Sequence, residues 1–315
     1  FFTWHAIFYF CAIFSVLGLI GTLLAMEDDT TEKEGRPKMD ALGGLFFMIF
    51  IGALSVGINF VDDWGLSWRI VFLFAISAAG LILFLLRERH AEHPLLPLTI
   101  FRNRTFTLAN CTCMLSYLTQ QLTTYLYPFF LADVMMMSAY HSGLVMLTAP
   151  VTMMIFSPVG GDLSDKKGTK LPAVLGLSLI IFSCLGTAFF HQGQNLFYVI
   201  AVLASMGAGN GLSVSAINSS ILGSVDTSMS GAASGTLATM RNIGNTLGIA
   251  IGSVMLTMRE VHYRSAGLSE VSGYLKAQRD IFLFGALTAV AAICLILLIH
   301  DKKKKQKVTL SASQC

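Results

Sequence analysis

Residues 171–190 read LPAVLGLSLIIFSCLGTAFF, a run of twenty residues without one charged side chain. As an α-helix this run is about 30 Å long, which matches the hydrocarbon core of a bilayer. Similar runs recur along the 315-residue chain, which is 54% hydrophobic and 12% charged, with a mean hydropathy of +0.68. A soluble domain carries about 25% charged residues, and a disordered chain combines low hydrophobicity with high charge. The composition excludes both classes and indicates a polytopic membrane protein.

The apolar runs are continuous, whereas membrane-spanning β-strands alternate in polarity over about ten residues. They therefore predict an all-α protein with nine spanning helices, at residues 5–26, 41–60, 68–87, 106–133, 140–160, 171–190, 195–222, 231–257 and 281–300. Lys and Arg in short loops concentrate on the cytoplasmic side of a membrane. Fifteen of them fall on the side of the 161–170 loop and the KKKKQK tail at 302–307, and five fall on the other side. We expect the first side, and the C-terminus with it, to be cytoplasmic.

The start of the chain predicts that further helices precede it. An odd number of spans places residue 1 on the outer side of the membrane. The first residues are Phe-Phe-Thr-Trp, without an initiator Met or the charged start of a signal peptide. We therefore expect this chain to be part of a longer protein.

The loop between the fifth and sixth predicted helices reads GDLSDKKGTK at 161–170. Glycine permits a tight turn, and Asp165 is expected just before a helix N-terminus, where partial positive charge favours a carboxylate. The spacing matches G-x-L-x-D-[RK]-x-G-x-[RK], the cytoplasmic loop motif of the major facilitator superfamily, which the chain resembles. The resemblance implies a conformational gating loop, with Gly161, Leu163, Asp165, Lys166, Gly168 and Lys170 at the motif positions.

Other segments resemble one branch of that superfamily, the fourteen-helix drug:proton antiporters of the EmrB/QacA type. The connector HAEHPLLPL at 90–98, followed by FRNRTF at 101–106, is similar to the E-x-P-L-x-x-L-x-x-F-[RK]-N-R-x-F connector of this branch. Shorter similarities are WHAIF at 4–8, DALG at 40–43, DWG at 63–65 and GAASG at 231–235.

The resemblance implies that the nine spans are helices six to fourteen of a fourteen-helix protein. Residues 1–27 would be the last helix of an N-terminal bundle, and residues 28–104 two linker helices with cytoplasmic connectors. Residues 105–300 would form the C-terminal six-helix bundle, and residues 301–315 a basic cytoplasmic tail.

Polar residues at helical spacing indicate which helix faces avoid lipid, because polar groups are costly there. Such residues face either a water-filled cavity or a neighbouring helix, and both interpretations stay open for the 106–133 helix. In the 195–222 helix, the stripe of Gly207, Gly211 and Ser215 favours helix packing over ligand contact. The candidates for lining a substrate cavity are Asn110, Tyr117, Gln121, Thr124, Asn210 and Asn218.

Arg241 is predicted about ten residues, or roughly 15 Å, from the cytoplasmic end of its helix, near the middle of the membrane. An intramembrane charge indicates a functional site. The alternative is that its long side chain reaches the inner headgroups. Gly244, Gly248 and Gly252 follow at four-residue spacing and predict the close approach of another helix. Residues 259–280 are expected to form a longer outer loop.

The absence of known motifs narrows the function. The sequence has no GxxxxGK[ST], no HExxH, no nucleophile elbow and no Cys/His cluster with metal-ligand spacing. We therefore expect no ATP motor, no enzyme activity, no cofactor or metal, and no nucleic-acid partner.

The resemblance implies a secondary active transporter that exports amphipathic drugs or toxic compounds in exchange for protons by alternating access. Its partners would be the lipid bilayer, a small-molecule substrate and protons, in the plasma membrane, and its oligomeric state stays open. One alternative keeps the fold but carries a metabolite, siderophore or vitamin. The other is a different class, a membrane-embedded sensor or enzyme without transport.

Overall fold

The computed structural model describes residues 5–25, 40–60, 67–91 and 98–299, and almost all of them are helical. The helices are α1 (His5–Ala25), α2 (Ala41–Asn59), α3 (Trp68–His90), α4 (Arg104–Phe129), α5 (Ala139–Met146), α6 (Thr148–Lys167), α7 (Lys170–Ala188), α8 (Leu196–Leu222), α9 (Ser230–Ser265) and α10 (Glu270–Leu297). Short 3₁₀ helices occupy Leu98–Arg102 and Thr227–Met229, and a π-helical turn at Phe130–Val134 extends α4. These ranges contain no strand, so the all-α prediction is confirmed for them.

Several features predicted from the sequence lie outside the described residues. They include Trp4 at the start of the WHAIF segment, the loop at 26–39, the DWG segment at 63–65, the connector at 92–97 and the basic tail at 301–315.

The chain divides into two compact units, residues 1–39 and residues 40–315. α1 is the described part of the first unit. Its Ser and Thr hydroxyl groups are satisfied within the helix, because Ser15 and Thr22 donate to the carbonyls of Cys11 and Gly18, both at 2.9 Å. α1 is thus an apolar helix whose Ser and Thr side chains bond to its own backbone.

Five helical segments in the described ranges are long and apolar enough to cross a membrane: α3, α5 with α6, α7, α8 and α10. α1 and α2 contain shorter apolar stretches. α4 and α9 have the length to span but are not among the five, because polar residues interrupt their apolar sequence. Both helices therefore combine the length of a spanning segment with polar side chains.

The predicted outer loop at 259–280 is wrong, because α9 continues to Ser265 and α10 starts at Glu270. Charged side chains of α9 and α10 form ion pairs with one another in this segment. The Arg264 guanidinium lies 2.7 Å from the Glu270 carboxylate, and Arg259 lies 3.4 Å from Asp280. The charges that suggested a loop thus belong to two long helices joined by a four-residue turn.

The single span predicted at 140–160 is two helices, α5 and α6, that meet at Leu147. Pro150 explains the break, since it has no N–H to donate to the carbonyl of Met146 and its ring clashes with that residue. The break places a bend one third of the way along this apolar segment.

Glycine residues set how closely the helices of the second unit pack. Gly176 of α7 and Gly209 of α8 face each other, and a Cβ atom on either would lie within 2.6 Å of the other's carbonyl oxygen. On the opposite side of α8, a Cβ on Gly211 would lie 2.7 Å from the carbonyl oxygen of Met153 in α6. α8 is therefore held between α6 and α7 through backbone contacts.

α2 and α3 form an antiparallel hairpin with both apolar and charged contacts. The Ser77 hydroxyl donates to the Phe50 carbonyl at 3.0 Å, and the Arg87 Nε lies 3.0 Å from the Asp40 carboxylate. The hydrogen bond from Arg87 holds the pKa of the Asp40 carboxyl below its ordinary value. The ion pair thus joins the start of α2 to the end of α3.

Candidate functional site

α4 and α9 run in the same direction and pack through the predicted glycine stripe. A Cβ atom on Gly248 would lie 2.5 Å from the Leu118 carbonyl oxygen and 3.0 Å from the Gln121 Cβ. One turn earlier, a Cβ on Gly244 would collide with the Met114 carbonyl oxygen. The close helix approach predicted from the sequence is confirmed, and α4 is the neighbour.

Along this contact lies a partly exposed polar surface, which we call the α4–α9 seam. It consists of Tyr117, Gln121 and Thr124 on α4 and of Arg241 and Asn245 on α9. The Arg241 guanidinium lies close to the Tyr117 hydroxyl and to the Cys113 thiol. The structure thus brings together three of the six cavity candidates and Arg241, the predicted intramembrane charge.

Arg241 has no acidic partner among the described residues. The ion pairs of these ranges join Asp40, Asp162, Glu260, Glu270 and Asp280 to other cations. Within the described residues, the seam therefore carries one positive charge without a carboxylate partner.

Asn110 shares its helix face with the seam but is separated from it by burial. Its side chain is 1% exposed, and its amide nitrogen donates to the Phe106 carbonyl at 2.9 Å. It lies on α4 beside an apolar cluster that contains Phe106 and Ala109. Helical spacing identifies the face correctly, whereas the depth of burial changes along that face.

The stripe of Gly207, Gly211 and Ser215 on α8 packs against another helix, as its small residues predicted. The Ser215 and Ser157 hydroxyls, on α8 and α6, lie 2.9 Å apart, and a Cβ on Gly207 would collide with Thr152 and Ala149 of α6. Asn210 is 4% exposed and Asn218 is half-buried, and the side-chain oxygen of each lacks a hydrogen-bond partner among the described residues.

Sequence reasoning missed two buried amides. The Gln120 side-chain oxygen in α4 has no partner among the described residues, nor has either amide atom of Gln278, which is 1% exposed in α10. Gln278 lies among Lys276, Arg279 and Asp280, so the sequence carries no signal that distinguishes it as buried.

The 161–170 segment is mostly helix instead of loop. Residues 161–167 form the last turns of α6, Gly168 ends the helix with φ = 84°, and α7 begins at Lys170. The expected position of Asp165 before a helix N-terminus is therefore wrong, because Asp165 lies in the last turn of α6. A helix C-terminus favours cations, so the dipole does not stabilise this carboxylate.

The other motif residues make contacts at the same end of the molecule. The Lys166 ammonium pairs with Asp162 at 2.8 Å, and the Lys170 ammonium donates to the Leu297 carbonyl at the end of α10, at 3.4 Å. Asp165 is exposed and has no hydrogen-bond or ion-pair partner among the described residues. Gly161 and Leu163 are half-buried in α6.

The model of the Major Facilitator Superfamily matches residues 1–249. The chain therefore belongs to this superfamily of membrane transporters, and the predicted family and the all-α polytopic membrane fold are confirmed. The fourteen-helix branch and the assignment to helices six to fourteen stay predictions.

Individual relatives are similar over most of the chain. The riboflavin transporter RibZ of Clostridioides difficile (strain 630) is 32% identical over 235 residues, which are 74% of this chain and 51% of RibZ. The multidrug resistance protein Stp of Mycobacterium tuberculosis (strain CDC 1551 / Oshkosh) is 28% identical over 256 residues, 80% of this chain and 47% of Stp. The multidrug transporter protein MdtP of Bacillus subtilis (strain 168) is 27% identical over 260 residues, 80% of this chain and 47% of MdtP. The chain thus spans about half the length of these relatives.

Proposed function

We propose that the full-length protein is a secondary active transporter that exports amphipathic organic compounds in exchange for protons. The described helices α4–α10 would supply its C-terminal bundle, and the α4–α9 seam would form part of the substrate pathway. The similarity to Stp and MdtP, both named as multidrug proteins, supports this choice of substrate class.

The observation that carries the proposal is the seam itself. Polar groups exposed on spanning helices are costly in lipid, and they are tolerated where they line a cavity or contact another protein segment. Tyr117 and Gln121 are only half-buried after α9 has packed against them, and Thr124 and Arg241 are exposed. A surface that mixes an aromatic ring, amides and one charge suits amphipathic compounds.

Proton coupling would need an acidic group from another part of the protein. In the described parts of α4–α10, most carboxylates lie toward the helix ends, at positions such as Asp133, Asp165 and Asp226. Asp280 lies ten residues into α10 but is paired with Arg259 at 3.4 Å. A proton carrier in a transporter lies close to the substrate pathway within the membrane. We therefore expect it on helices other than these.

Dye efflux tests the proposal. Cells with and without the full-length protein are loaded with Nile red, which is neutral, or with carboxyfluorescein, which is anionic. We expect the protein to speed the loss of at least one dye, and a protonophore to abolish this effect. Equal loss with and without the protein, for both dyes, would refute export of amphipathic compounds.

Transport of a vitamin is the second candidate, because RibZ, named a riboflavin transporter, is 32% identical to this chain. The two candidates differ in substrate and not in fold. Riboflavin is fluorescent, so the same cells report its accumulation directly. Protein-dependent movement of riboflavin without movement of either dye would favour this candidate.

The 161–170 segment would act as the conformational gate. Asp165 is an exposed carboxylate that has no partner among the described residues. A charged hydrogen bond formed only in the other arrangement would stabilise that state by about 1.5–3 kcal/mol. Such a latch shifts the ratio of the two states without touching the substrate.

A further inference from the structure

The strongest unexplained feature is the positive charge of Arg241. Its side chain is exposed on the seam and belongs to none of the ion pairs formed by the described residues. An unpaired charge at membrane depth is costly, and a bound molecule of opposite charge would remove part of this cost.

The depth of the guanidinium follows from its contacts. Arg241 lies eleven residues after Ser230, the first residue of α9, or roughly 16 Å along the helix. The neighbouring Tyr117 lies thirteen residues after Arg104, the first residue of α4, or about 20 Å along a helix that runs in the same direction. Both lengths are more than half of the roughly 30 Å hydrocarbon core, and this depth supports a position of the guanidinium within the membrane.

The chemistry of the site fits an oxyanion. The guanidinium presents a planar fork of N–H donors that matches carboxylate, phosphate or sulfonate oxygens in a bidentate arrangement. The Tyr117 hydroxyl and the half-buried Asn245 amide, one helical turn beyond Arg241, offer further hydrogen-bond donors.

We propose that Arg241 and Tyr117 bind the anionic group of the transported compound, so that the substrates are organic acids with an apolar body. This inference rests on the proposed function, because it assumes that the seam meets substrate. It names the substrate class that the amphipathic surface alone leaves open. An acidic residue elsewhere in the protein that neutralised Arg241 would remove the preference for acids.

A pair of isosteric probes tests the proposal. Purified full-length protein in discs of zwitterionic lipid is dialysed at neutral pH against radiolabelled 2-naphthoate or 2-naphthamide, which differ in charge but little in shape. We expect 2-naphthoate to bind at least tenfold more tightly. The Arg241→Gln variant should bind both compounds equally, and Arg241→Lys should show an intermediate preference because it keeps the charge without the fork.

Arg259→Gln is the matched control. Arg259 lies on the same helix, but its Nε is 3.4 Å from Asp280 near the opposite end of α9. This variant should keep the full preference for 2-naphthoate. Tyr117→Phe should lower the preference a few-fold, because the ring stays and only the hydroxyl is lost.

Three results would overturn the proposal. The first is equal binding of the two probes to the wild type, including no binding of either. The second is an acid preference that persists in Arg241→Gln. The third is loss of the preference in discs that contain phosphatidylglycerol, which would assign the site to a lipid headgroup. Binding is measured without a proton gradient, so a negative dye-efflux test would not change the interpretation of the binding result.

Discussion

The contact between α4 and α9 predicts a large effect from a single methyl group. In the Gly248→Ala variant, the new Cβ would lie 2.5 Å from the Leu118 carbonyl oxygen and 3.0 Å from both the Gln121 Cβ and the Leu122 nitrogen. Two of these three atoms are backbone, which cannot rotate away as a side chain can. The helices must separate to accept the methyl group.

The expected size follows from two opposing effects. Replacing Gly by Ala inside a helix stabilises by about 0.5–1 kcal/mol when space is available, because Ala has less backbone freedom to lose. Overpacking a tight contact destabilises by about 1–3 kcal/mol. We therefore expect Gly248→Ala to lower the free energy of unfolding by up to about 2 kcal/mol.

Gly235→Ala is the matched control on the same helix. A Cβ on Gly235 meets no other atom within 4 Å, so only the favourable backbone effect applies. Thermal unfolding of the purified full-length protein, followed by size-exclusion chromatography, compares the two variants. The expected order of melting temperature is Gly235→Ala, wild type, Gly248→Ala. A Gly248→Ala variant as stable as the Gly235→Ala variant would refute the close contact.

Three further predictions concern the end of the molecule that carries Lys166. The Asn103 side chain accepts from the first N–H groups of α4 and donates to the Ser224 carbonyl at 2.6 Å. Asn103→Ser keeps only the cap of α4, so its melting temperature should lie between those of the wild type and Asn103→Ala. Equal melting temperatures of the two variants would contradict this. Asp165→Asn should slow dye efflux about ten- to a hundredfold with unchanged substrate affinity, and a loss of affinity at normal turnover would contradict the latch. The pKa of Asp40 is lowered, first of all by the hydrogen bond from Arg87. The ion pair therefore stabilises the folded protein at pH values above the ordinary carboxyl pKa, and this stabilisation is lost as the pH falls through the lowered pKa. Melting temperature should therefore fall more steeply below about pH 5 in wild type than in Asp40→Asn, and parallel acid profiles would argue against the pair.

The helical architecture could be predicted well because it depends on local hydropathy. A run such as residues 171–190 has one way to satisfy its backbone in lipid, and the structure places α7 at Lys170–Ala188. One error, the single span predicted at 140–160, arose at Pro150, and the others occurred where charged residues lie within a helix. Residues 259–280 contain enough charged side chains to suggest a loop, yet pairs such as Arg264 with Glu270 keep the segment helical. Hydropathy reports where a helix leaves the membrane and not where it ends.

The site could be predicted only in part, because its residues are distant in the sequence. Tyr117 and Arg241 were each identified from their own helix, but no periodicity relates positions on two different helices. The glycine spacing at Gly244 and Gly248 predicted that some helix would approach closely and could not say which one. Packing decides that, and it also decides why Asn110 is buried while Tyr117 on the same face stays accessible.

The glycine contacts also bear on how alternating access would move the seam. Where α7 and α8 meet at Gly176 and Gly209, and where α8 meets α6 at Gly211, backbone lies against backbone. Such surfaces have no flexible side chains to absorb sliding, so moving one of these helices past another would collide main-chain atoms. Motion is easier between groups of helices than within this one. The α4–α9 seam, built on a contact of the same kind, should therefore keep its geometry while the surface facing it changes, which is what a fixed anion site at Arg241 requires.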